Sequence, residues 1–493
     1  MQFADYTVVA LFFLLMVFIG FVSYRKIHAS GDFFVAGGKA PWWLAGISHH
    51  VSGYSGVVFV AYAAVAYEHG FTLYIWWALP IAIACFAGAF LFAPRWCRLR
   101  QRLAIESPTE YLRLRYNVPT QQVMAWSGVL LKLFDAGAKW ASIGILLHGF
   151  TGLPLATGIL LSGGISLVYI TVGGLWADLY TDLAQFVVQI VAGVVLFVAV
   201  VLHLGGAGSV TGVWSDLPEG HAGLFNGPYG PPFFFAFLLV AFLSYNGGTW
   251  NLAARYIAAP SAESARKSAL LSGGLYLVWP LILFFPMWAA PLLLPGLDNP
   301  SQSYAELTQK FLPAGLVGLV LAAMFANTMS MTTSDTNTIS AVITRDILPL
   351  ASRRFRDMGP RRSLLVARVT TCAFTALTLV IALEAERFGG VLGLILSWFG
   401  ALVGPVSIPM LFGLMPVFRH AGPAAAIGST LAGFAAFLFI AYGLNEAPAF
   451  LRVGGPAAVA LLVFTGAAFL GRGKPVRREV EELLDGINPR GRS

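Results

Sequence analysis

The chain has 493 residues, of which 57% are hydrophobic and only 11% are charged, against about a quarter charged in an ordinary soluble domain. No water-soluble fold can bury that much apolar surface, so the composition excludes a soluble protein and indicates a core with lipid as its solvent. The formal net charge of +8 does not predict a nucleic-acid partner, because Lys and Arg collect in alternate segments between apolar runs. The three cysteines, Cys85, Cys97 and Cys372, are far apart and predict neither disulfides nor a zinc site.

Apolar runs of about 20 residues, enough to cross about 30 Å of hydrocarbon as helix, recur along nearly the whole chain. They predict an all-α integral membrane protein with about 13 transmembrane helices and leave no stretch for a soluble domain. The predicted spans lie near residues 6–22, 42–67, 73–92, 123–150, 155–172, 182–204, 232–254, 270–294, 315–347, 365–383, 391–416, 423–442 and 456–470.

The basic residues between these spans predict the topology. With the N-terminus outside, the outer segments hold only Lys310, Arg387 and Arg452, whereas the inner segments and the tail hold many Lys and Arg. The positive-inside rule therefore predicts an outside N-terminus and a cytoplasmic C-terminus. The expected location is the plasma membrane, in particular a bacterial inner membrane.

Two of the predicted spans contain residues that break helices. The second has glycines, hydroxyls and a histidine pair over residues 46–56, and the seventh has a similar interruption over 244–251. Unwound backbone in hydrocarbon is tolerated only where it is buried or lines a cavity. Because the two spans are five spans apart, they begin two units of opposite orientation, and such paired broken helices point to a binding site at the membrane midplane. The alternative is that Gly and Ser serve close helix packing.

Three motifs in order carry a family resemblance. Residues 169–177 read YITVGGLWA and are followed by Thr181, Asp182 and Gln185, and residues 327–334 read NTMSMTTS ahead of ITRD at 343–346. The third motif belongs to the seventh span and consists of Tyr245 and the helix-ending Arg255. Over roughly residues 5–420, the sequence resembles the sodium:solute symporter family.

The resemblance implies a LeuT-type core of ten helices, spans 2 to 11, in two inverted five-helix repeats with discontinuous helices at the binding site. The implied organisation is an N-terminal extra helix and loop at 1–38, a first repeat at 39–204, a second repeat at 205–417, and two C-terminal helices with a short basic tail at 418–493.

A face of hydroxyls in the ninth predicted span suits a cation. Ser330, Thr333 and Ser334 have i, i+3 and i+4 spacing and therefore share one helix face. Hard monovalent cations take hydroxyl oxygens together with carbonyls freed where a helix unwinds. The alternative is that these hydroxyls bond back to their own helix.

The resemblance implies two cation sites. The main sodium site would use backbone carbonyls and one hydroxyl, at Val51, Tyr54, Asn327 and Ser330. The sequence departs from the family at Met331, where a second hydroxyl is usual, and a thioether is a poor sodium ligand. A second site would use Asp182 with Ser330, Thr333 and Ser334, although a carboxylate near a helix N-terminus can also be there for the helix dipole alone.

Groups that can carry protons leave the coupling ion open at this stage. His49 and His50 lie in the second span, and Asp335 follows the hydroxyl face at a position where the family usually has no acid. Histidine changes its charge near neutral pH. Sodium is the expected ion, and proton coupling is the alternative.

Charges in the fourth predicted span suggest a solute contact. Lys132, Asp135 and Lys139 have i, i+3 and i+7 spacing and lie on roughly one face, so one aspartate leaves one lysine charge over. That charge could receive a carboxylate, and the alternative is a structural ion pair with snorkelling lysines. The candidate solute-binding residues are His49, His50, Lys139, Tyr245, Asn246, Trp250 and Asn251.

Together these features predict a secondary transporter that couples Na+ to a small organic solute bearing a carboxylate or resembling an amino acid. No GxSxG, HExxH or phosphate-loop motif stands out, so no enzyme activity is predicted. The expected partners are the solute, the sodium ion and the lipid bilayer, without nucleic acid or an obligatory protein partner. The alternatives are a sugar symporter, an H+-coupled symporter, and a membrane sensor or channel module.

Overall fold

The computed structural model describes residues 1–388, 403–444 and 446–488. These residues are almost entirely helical, and the described part of the chain has no strand beyond one isolated bridge between Asn226 and Tyr229. The predicted all-α fold class is confirmed. The predicted span 391–416 falls largely outside the described residues.

The first half of the chain forms long helices joined by short ones. Its α-helices are α1 (Phe3–Tyr24), α2 (Ser30–Val35), α3 (Trp42–Val51), α4 (Ala63–His69), α5 (Leu79–Leu91), α6 (Ala93–Leu103), α7 (Leu112–Arg115), α8 (Val118–Thr151), α9 (Leu155–His203) and α10 (Ser209–Gly212). Its 3₁₀ turns are Ala36–Gly38 and Val213–Ser215, and its π-helical turns are Val58–Tyr62 and Tyr74–Ala78.

The second half continues the same architecture. Its α-helices are α11 (Pro231–Leu243), α12 (Asn251–Ile257), α13 (Ala262–Leu293), α14 (Ser303–Phe311), α15 (Leu316–Val342), α16 (Leu348–Ala351), α17 (Pro360–Leu383), α18 (Gly404–Phe412), α19 (Pro423–Leu438), α20 (Ala449–Leu470) and α21 (Arg478–Ile487). Its π-helical turns are Ser244–Gly248, Ile343–Ile347 and Phe439–Gly443, and its 3₁₀ turns are Pro300–Gln302, Arg353–Phe355, Ala385–Phe388 and Pro416–Phe418.

Within the described residues, nine helical runs are long and apolar enough to cross a membrane, fewer than the 13 predicted spans. The physical reasons are visible. The second span is broken into short helices, and α8 carries three charged residues within its apolar run. In addition, the fifth and sixth predicted spans form the single 49-residue run of α9.

The α9 run contains a sharp bend where a loop was expected. At 1.5 Å per residue, 49 helical residues would extend for about 74 Å, more than twice the hydrocarbon thickness. The bend is at Gly174, with φ of 48° and ψ of −144°. A Cβ there would lie 2.4 Å from the Phe33 carbonyl oxygen, so only glycine fits. The predicted gap between the spans 155–172 and 182–204 is therefore wrong, because the helix continues up to this one residue and resumes directly after it.

Both predicted helix breaks are present. Helix α3 ends at Val51, and the chain is not α-helical again until α4. In the seventh span, α11 gives way to a π-helical turn in which Gly247 has a φ of 104°, and Trp250 has a φ of 75° before α12 begins. The two breaks, together with α9 and α15, which pack against each other in the buried interior, position the candidate site.

Candidate cation and solute site

The hydroxyl face of α15 meets two carboxylates of α9. Ser330 Oγ donates to Asp182 Oδ1 at 2.5 Å, Thr333 Oγ1 donates to Asp178 Oδ1 at 2.6 Å, and Ser334 Oγ donates to Asp178 Oδ2 at 2.9 Å. All five side chains are buried. Asp178 and Asp182 lie four and eight residues after the Gly174 bend, on one face of the helix, and both carboxylates meet α15.

A buried guanidinium from the second broken helix joins these carboxylates. Arg255 of α12 places Nη2 at 2.6 Å from Asp178 Oδ2 and 3.2 Å from Asp182 Oδ2. The same nitrogen donates to Ser334 Oγ. Arg255 has no exposed surface, so its charge is neutralised entirely inside the protein.

The first broken helix completes the arrangement. Ser48 Oγ donates to Asp182 Oδ2 at 2.5 Å, and Ser52, at the end of α3, lies 3.0 Å from Ser334 Oγ. Ser52 also accepts from Arg255 Nη2 at 3.0 Å. We name the following set the acidic cluster: Ser48, Ser52, Asp178, Asp182, Arg255, Ser330, Thr333 and Ser334.

The charges of the acidic cluster do not balance. Its two carboxylates and one guanidinium leave one negative charge when all three are ionised. A buried uncompensated charge is costly, and five hydroxyls surround it. Chemically, the cluster offers a monovalent cation several oxygen ligands and the charge that matches it.

The backbone carbonyls of Val51, Tyr54 and Asn327 stay predicted cation ligands. The Val51 carbonyl accepts from the Tyr54 backbone N–H at 3.0 Å. The Asn327 side chain, which is not the predicted ligand atom, accepts from Gln189 Nε2 at 2.6 Å. The unwound segment does touch α15, since the Gly56 N–H donates to Thr328 Oγ1 at 2.9 Å.

The charged face of α8 forms a second cluster, and here the predicted charge balance is wrong. Lys132 Nζ lies 2.9 Å from Asp135 and 2.6 Å from Asp335, and Lys139 Nζ lies 2.7 Å and 2.6 Å from the same two carboxylates. Asp335 of α15 therefore supplies the second negative charge. We name these four residues the lysine cluster; two lysines and two aspartates leave no positive charge over.

A central cavity of about 190 Å³ lies between the two broken helices. The lysine cluster borders it through Asp135 and Lys139, and the acidic cluster borders it through Ser52. Its other lining residues are Gly53, Ser55, Val57, Val58, Ala61, Tyr62, Trp77, Phe237, Val240, Ala241, Ser244, Tyr245, Thr249, Asn251, Leu252 and Met331.

Comparison with known proteins identifies the family of the chain from its sequence. The model of the sodium:solute symporter family matches residues 33–466. The chain belongs to the sodium:solute symporter family. It is therefore a transporter and not an enzyme. Its coupling ion is Na+, so proton coupling is not required to explain transport.

This symporter resembles relatives of different solute preference. It is 26% identical to the human sodium/iodide cotransporter over 90% of this chain and 70% of the relative. It is 27% identical to the sodium/glucose cotransporter of Vibrio parahaemolyticus over 79% of this chain and 76% of the relative. In fold, it matches a substrate-bound, outward-open structure of a Na+-coupled sialic acid symporter, with a TM-score of 0.83, 21% identity, and coverage of 97% and 99% of the two chains. The implied LeuT-type fold is confirmed, while the repeat boundaries stay predictions.

The structure sorts the symporter's predicted solute residues into two groups. Lys139, Tyr245 and Asn251 line the central cavity. Tyr245 also donates through its hydroxyl to the Gly53 carbonyl at 3.2 Å, which links the two broken helices across the cavity.

The histidine pair lies outside the cavity lining. His49 Nδ1 is 2.8 Å from Ser272 Oγ, and its Nε2 is 2.8 Å from the Tyr256 hydroxyl. The His50 ring packs against the rings of Tyr54 and Tyr276, at centroid distances of 5.0 Å and 4.5 Å. Both rings are fully buried.

Asn246 and Trp250 also lie outside the lining. Asn246 Nδ2 donates to the Phe242 carbonyl at 2.7 Å. Trp250 packs so closely on α8 that a Cβ at Gly128 would lie 1.7 Å from its ring. Both side chains pack the broken helix against its neighbours and do not line the cavity.

Sequence reasoning missed Asp178 and the position of the Arg255 side chain. Asp178 lies between the quoted motif residues and Asp182, four residues before that aspartate. The i, i+4 spacing predicts one shared helix face, so this signal was available. The partnership with Arg255 joins residues 77 positions apart, and no local pattern indicates it.

Proposed function

We propose that the chain couples the uptake of a small carboxylate-bearing or amino-acid-like solute to one Na+ ion held in the acidic cluster. The solute occupies the central cavity, with its charged end at Lys139 and Asp135. The observation that carries the proposal is the single negative charge left over among buried oxygen ligands.

Ser52 supplies a physical link between cation and solute. It borders the cavity, and its hydroxyl lies 3.0 Å from Ser334 and 3.4 Å from Ser330. A cation that draws in these hydroxyls would order the unwound segment after α3. Because that segment also lines the cavity, cation binding and solute binding stabilise the same backbone conformation, which is a coupling free energy between two sites.

The lining of the cavity favours an amphipathic acid over a sugar. Its charged residues are Asp135 and Lys139, which pair with each other at 2.7 Å, and their opposite charges match the two ends of a zwitterion. Much of the remaining wall is apolar, including Val58, Phe237 and Leu252. A sugar has hydroxyls on most carbons and would leave several without partners against such a wall.

The size of the cavity points to a small solute. Its volume of about 190 Å³ is below the range of about 300–1,000 Å³ that is typical of sites for drug-sized ligands. We therefore expect short monocarboxylates and small amino acids to be carried better than sugar acids.

Reconstituted vesicles test this proposal. Labelled short monocarboxylates, small amino acids, a monosaccharide and a sugar acid are offered with and without an inward sodium gradient. Sodium-dependent uptake of a small acid is expected. Uptake of the monosaccharide alone would overturn the carboxylate proposal and leave sodium coupling intact.

The lysine cluster offers a matched pair of variants for the solute contact. Lys132 and Lys139 pair with the same two carboxylates, but only Lys139 borders the cavity. Lys139→Met with Asp335→Asn, and Lys132→Met with Asp335→Asn, both remove one positive and one negative charge. The first pair should raise the solute concentration for half-maximal uptake at least tenfold, and the second should leave it within about threefold. Equal effects would make both lysines structural.

For orientation we infer an outside N-terminus from the positive-inside bias. A cysteine placed at Arg452, which is predicted to lie outside, should react with a membrane-impermeant thiol reagent in intact cells, in a background without Cys85, Cys97 and Cys372. A cysteine placed at Arg353 should react only after the membrane is opened. The reverse labelling would invert the topology.

A further inference from the structure

A pocket with arginine walls lies at the basic end of the molecule, where the span of α15 ends and α17 begins. Two adjoining cavities of about 210 and 260 Å³ share Arg113, Arg345, Pro349 and Arg356. The pocket shares no residue with the acidic and lysine clusters, and Thr344 lies nine residues after Asp335. Transport chemistry does not account for it.

The charges of this arginine pocket are only partly balanced by protein. Arg345 Nε pairs with Glu110 at 2.7 Å and lies 3.8 Å from Glu106. Among the described residues, Arg113 and Arg356 form no ion pair. The acid in the wall is Asp346, and its carboxylate is already held by hydroxyl and amide donors, Ser107 at 2.6 Å, Thr109 at 2.5 Å and Gln121 at 2.7 Å.

Two further features point to a bound anion. Thr344 lines the pocket, is 1% exposed, and its hydroxyl has no partner among the described residues. Ser363 also lines the pocket, from the first turn of the 24-residue helix α17. The Ser363 N–H is bonded to the Gly359 carbonyl at 3.0 Å, so the start of α17 contributes the positive end of the helix dipole, which favours phosphate oxygens. Arginine is the side chain best suited to bind phosphate through two hydrogen bonds.

Apolar side chains near the arginine pocket are exposed. Leu350, in the wall of the pocket, is 47% exposed, and Leu365 and Val369, two and six residues after the pocket residue Ser363, are 61% and 60% exposed. The acyl chains of a bound lipid would bury such side chains. We propose that the pocket binds the phosphate headgroup of an anionic phospholipid, with its acyl chains along α17. Basic pockets between membrane helices are known to take such headgroups.

Native mass spectrometry of the detergent-purified full chain tests this proposal. The protein is titrated with phosphatidylglycerol, with phosphatidylcholine, and with inorganic phosphate as a competitor. Arg113→Gln with Arg356→Gln should weaken phosphatidylglycerol binding at least tenfold, and Thr344→Val should weaken it about threefold. The matched control is Arg353→Gln with Arg354→Gln, which removes the same charge from two arginines that precede Arg356 and do not line the pocket, and it should change binding less than twofold.

The outcomes distinguish a specific lipid site from a diffuse charge effect and from a site for free phosphate. Equal loss in the two double variants would show a diffuse charge effect and overturn the site, as would unchanged binding in both. If inorganic phosphate displaces the lipid at concentrations comparable to those of the lipid itself, the site holds free phosphate and the lipid assignment is wrong. Thermal unfolding of each variant confirms that the fold is retained.

Discussion

Two clusters of buried charge lie side by side on α15 and differ in how their charges balance. The acidic cluster uses Ser330, Thr333 and Ser334 and has one negative charge left over. The lysine cluster uses the very next residue, Asp335, and is neutral. Adjacent residues point in directions about 100° apart on a helix, so one helix serves both clusters without merging them.

The acidic cluster needs an added cation to balance its charge, whereas the lysine cluster already contains the cations that balance its carboxylates. Buried ion pairs are tolerated when geometry and hydrogen bonds compensate the cost of removing charge from water. The lysine cluster meets that condition by itself. The acidic cluster meets it only when a cation joins it, and that dependence is what allows sodium to control its conformation.

The largest expected effect follows from removing the excess negative charge. Asp182→Asn should abolish sodium-driven uptake or raise the sodium concentration for half-maximal uptake by about tenfold to a hundredfold, because contacts to a charged group contribute about 1.5–3 kcal/mol. Ser330→Ala should shift it in the same direction by less. Sodium titration of uptake in vesicles measures both.

The control for these variants lies on the same helix. Thr332→Val removes a buried hydroxyl whose partners, among the residues that the structure describes, are the Thr328 and Met329 carbonyls of α15 itself. It should leave the sodium requirement within about twofold. Unchanged sodium dependence in Asp182→Asn and Ser330→Ala, with normal membrane insertion, would remove the acidic cluster as the cation site.

The second expected effect concerns stability at the lysine cluster. Asp335→Asn leaves two lysines with one carboxylate, and breaking a buried pair in this way costs about 3–5 kcal/mol. The thermal midpoint in detergent should fall clearly. Adding Lys132→Met restores neutrality and should recover most of the loss. A single variant as stable as the parent protein would show that water or another group already compensates the charge.

A smaller effect tests whether charge or ligand identity governs the acidic cluster. Asp178→Asn with Arg255→Gln keeps the excess of one negative charge, whereas Asp178→Asn alone removes it. If charge governs, the double variant should bind sodium about tenfold more tightly than the single one, as measured by calorimetry without solute. Equal affinities would mean that Asp178 acts through its oxygen atoms.

Local patterns in the sequence predicted much of this structure. Hydropathy indicated the membrane fold, and the glycine and hydroxyl runs indicated both broken helices, now visible where α3 ends at Val51 and where Gly247 has its positive φ. The shared faces of Ser330 and Ser334 and of Lys132 and Lys139 followed from helical spacing.

Pairings between distant residues could not be predicted. Asp335 binds Lys139 across 196 positions, and its absence from the charge count predicted an excess positive charge on α8 where the cluster is neutral. His49 and His50 looked like proton carriers from residue type alone, yet packing encloses both rings away from the cavity. Spacing along one helix shows which residues share a face, whereas only the fold decides which helix that face meets.

The smallest expected effect concerns Met331, which borders the cavity one turn before Asp335. The resemblance places a second sodium ligand here, and a thioether is a poor substitute for a hydroxyl. Met331→Ser should therefore lower the sodium concentration for half-maximal uptake by a few fold, or about 0.5–1 kcal/mol, near the net value of one neutral hydrogen bond. Met331→Ala is the matched control, because it removes a similar volume without adding an oxygen. A gain in Ser alone would indicate a latent second cation position between the two clusters. Equal behaviour of Ser and Ala would contradict this prediction and would mean that sodium is held by the acidic cluster only.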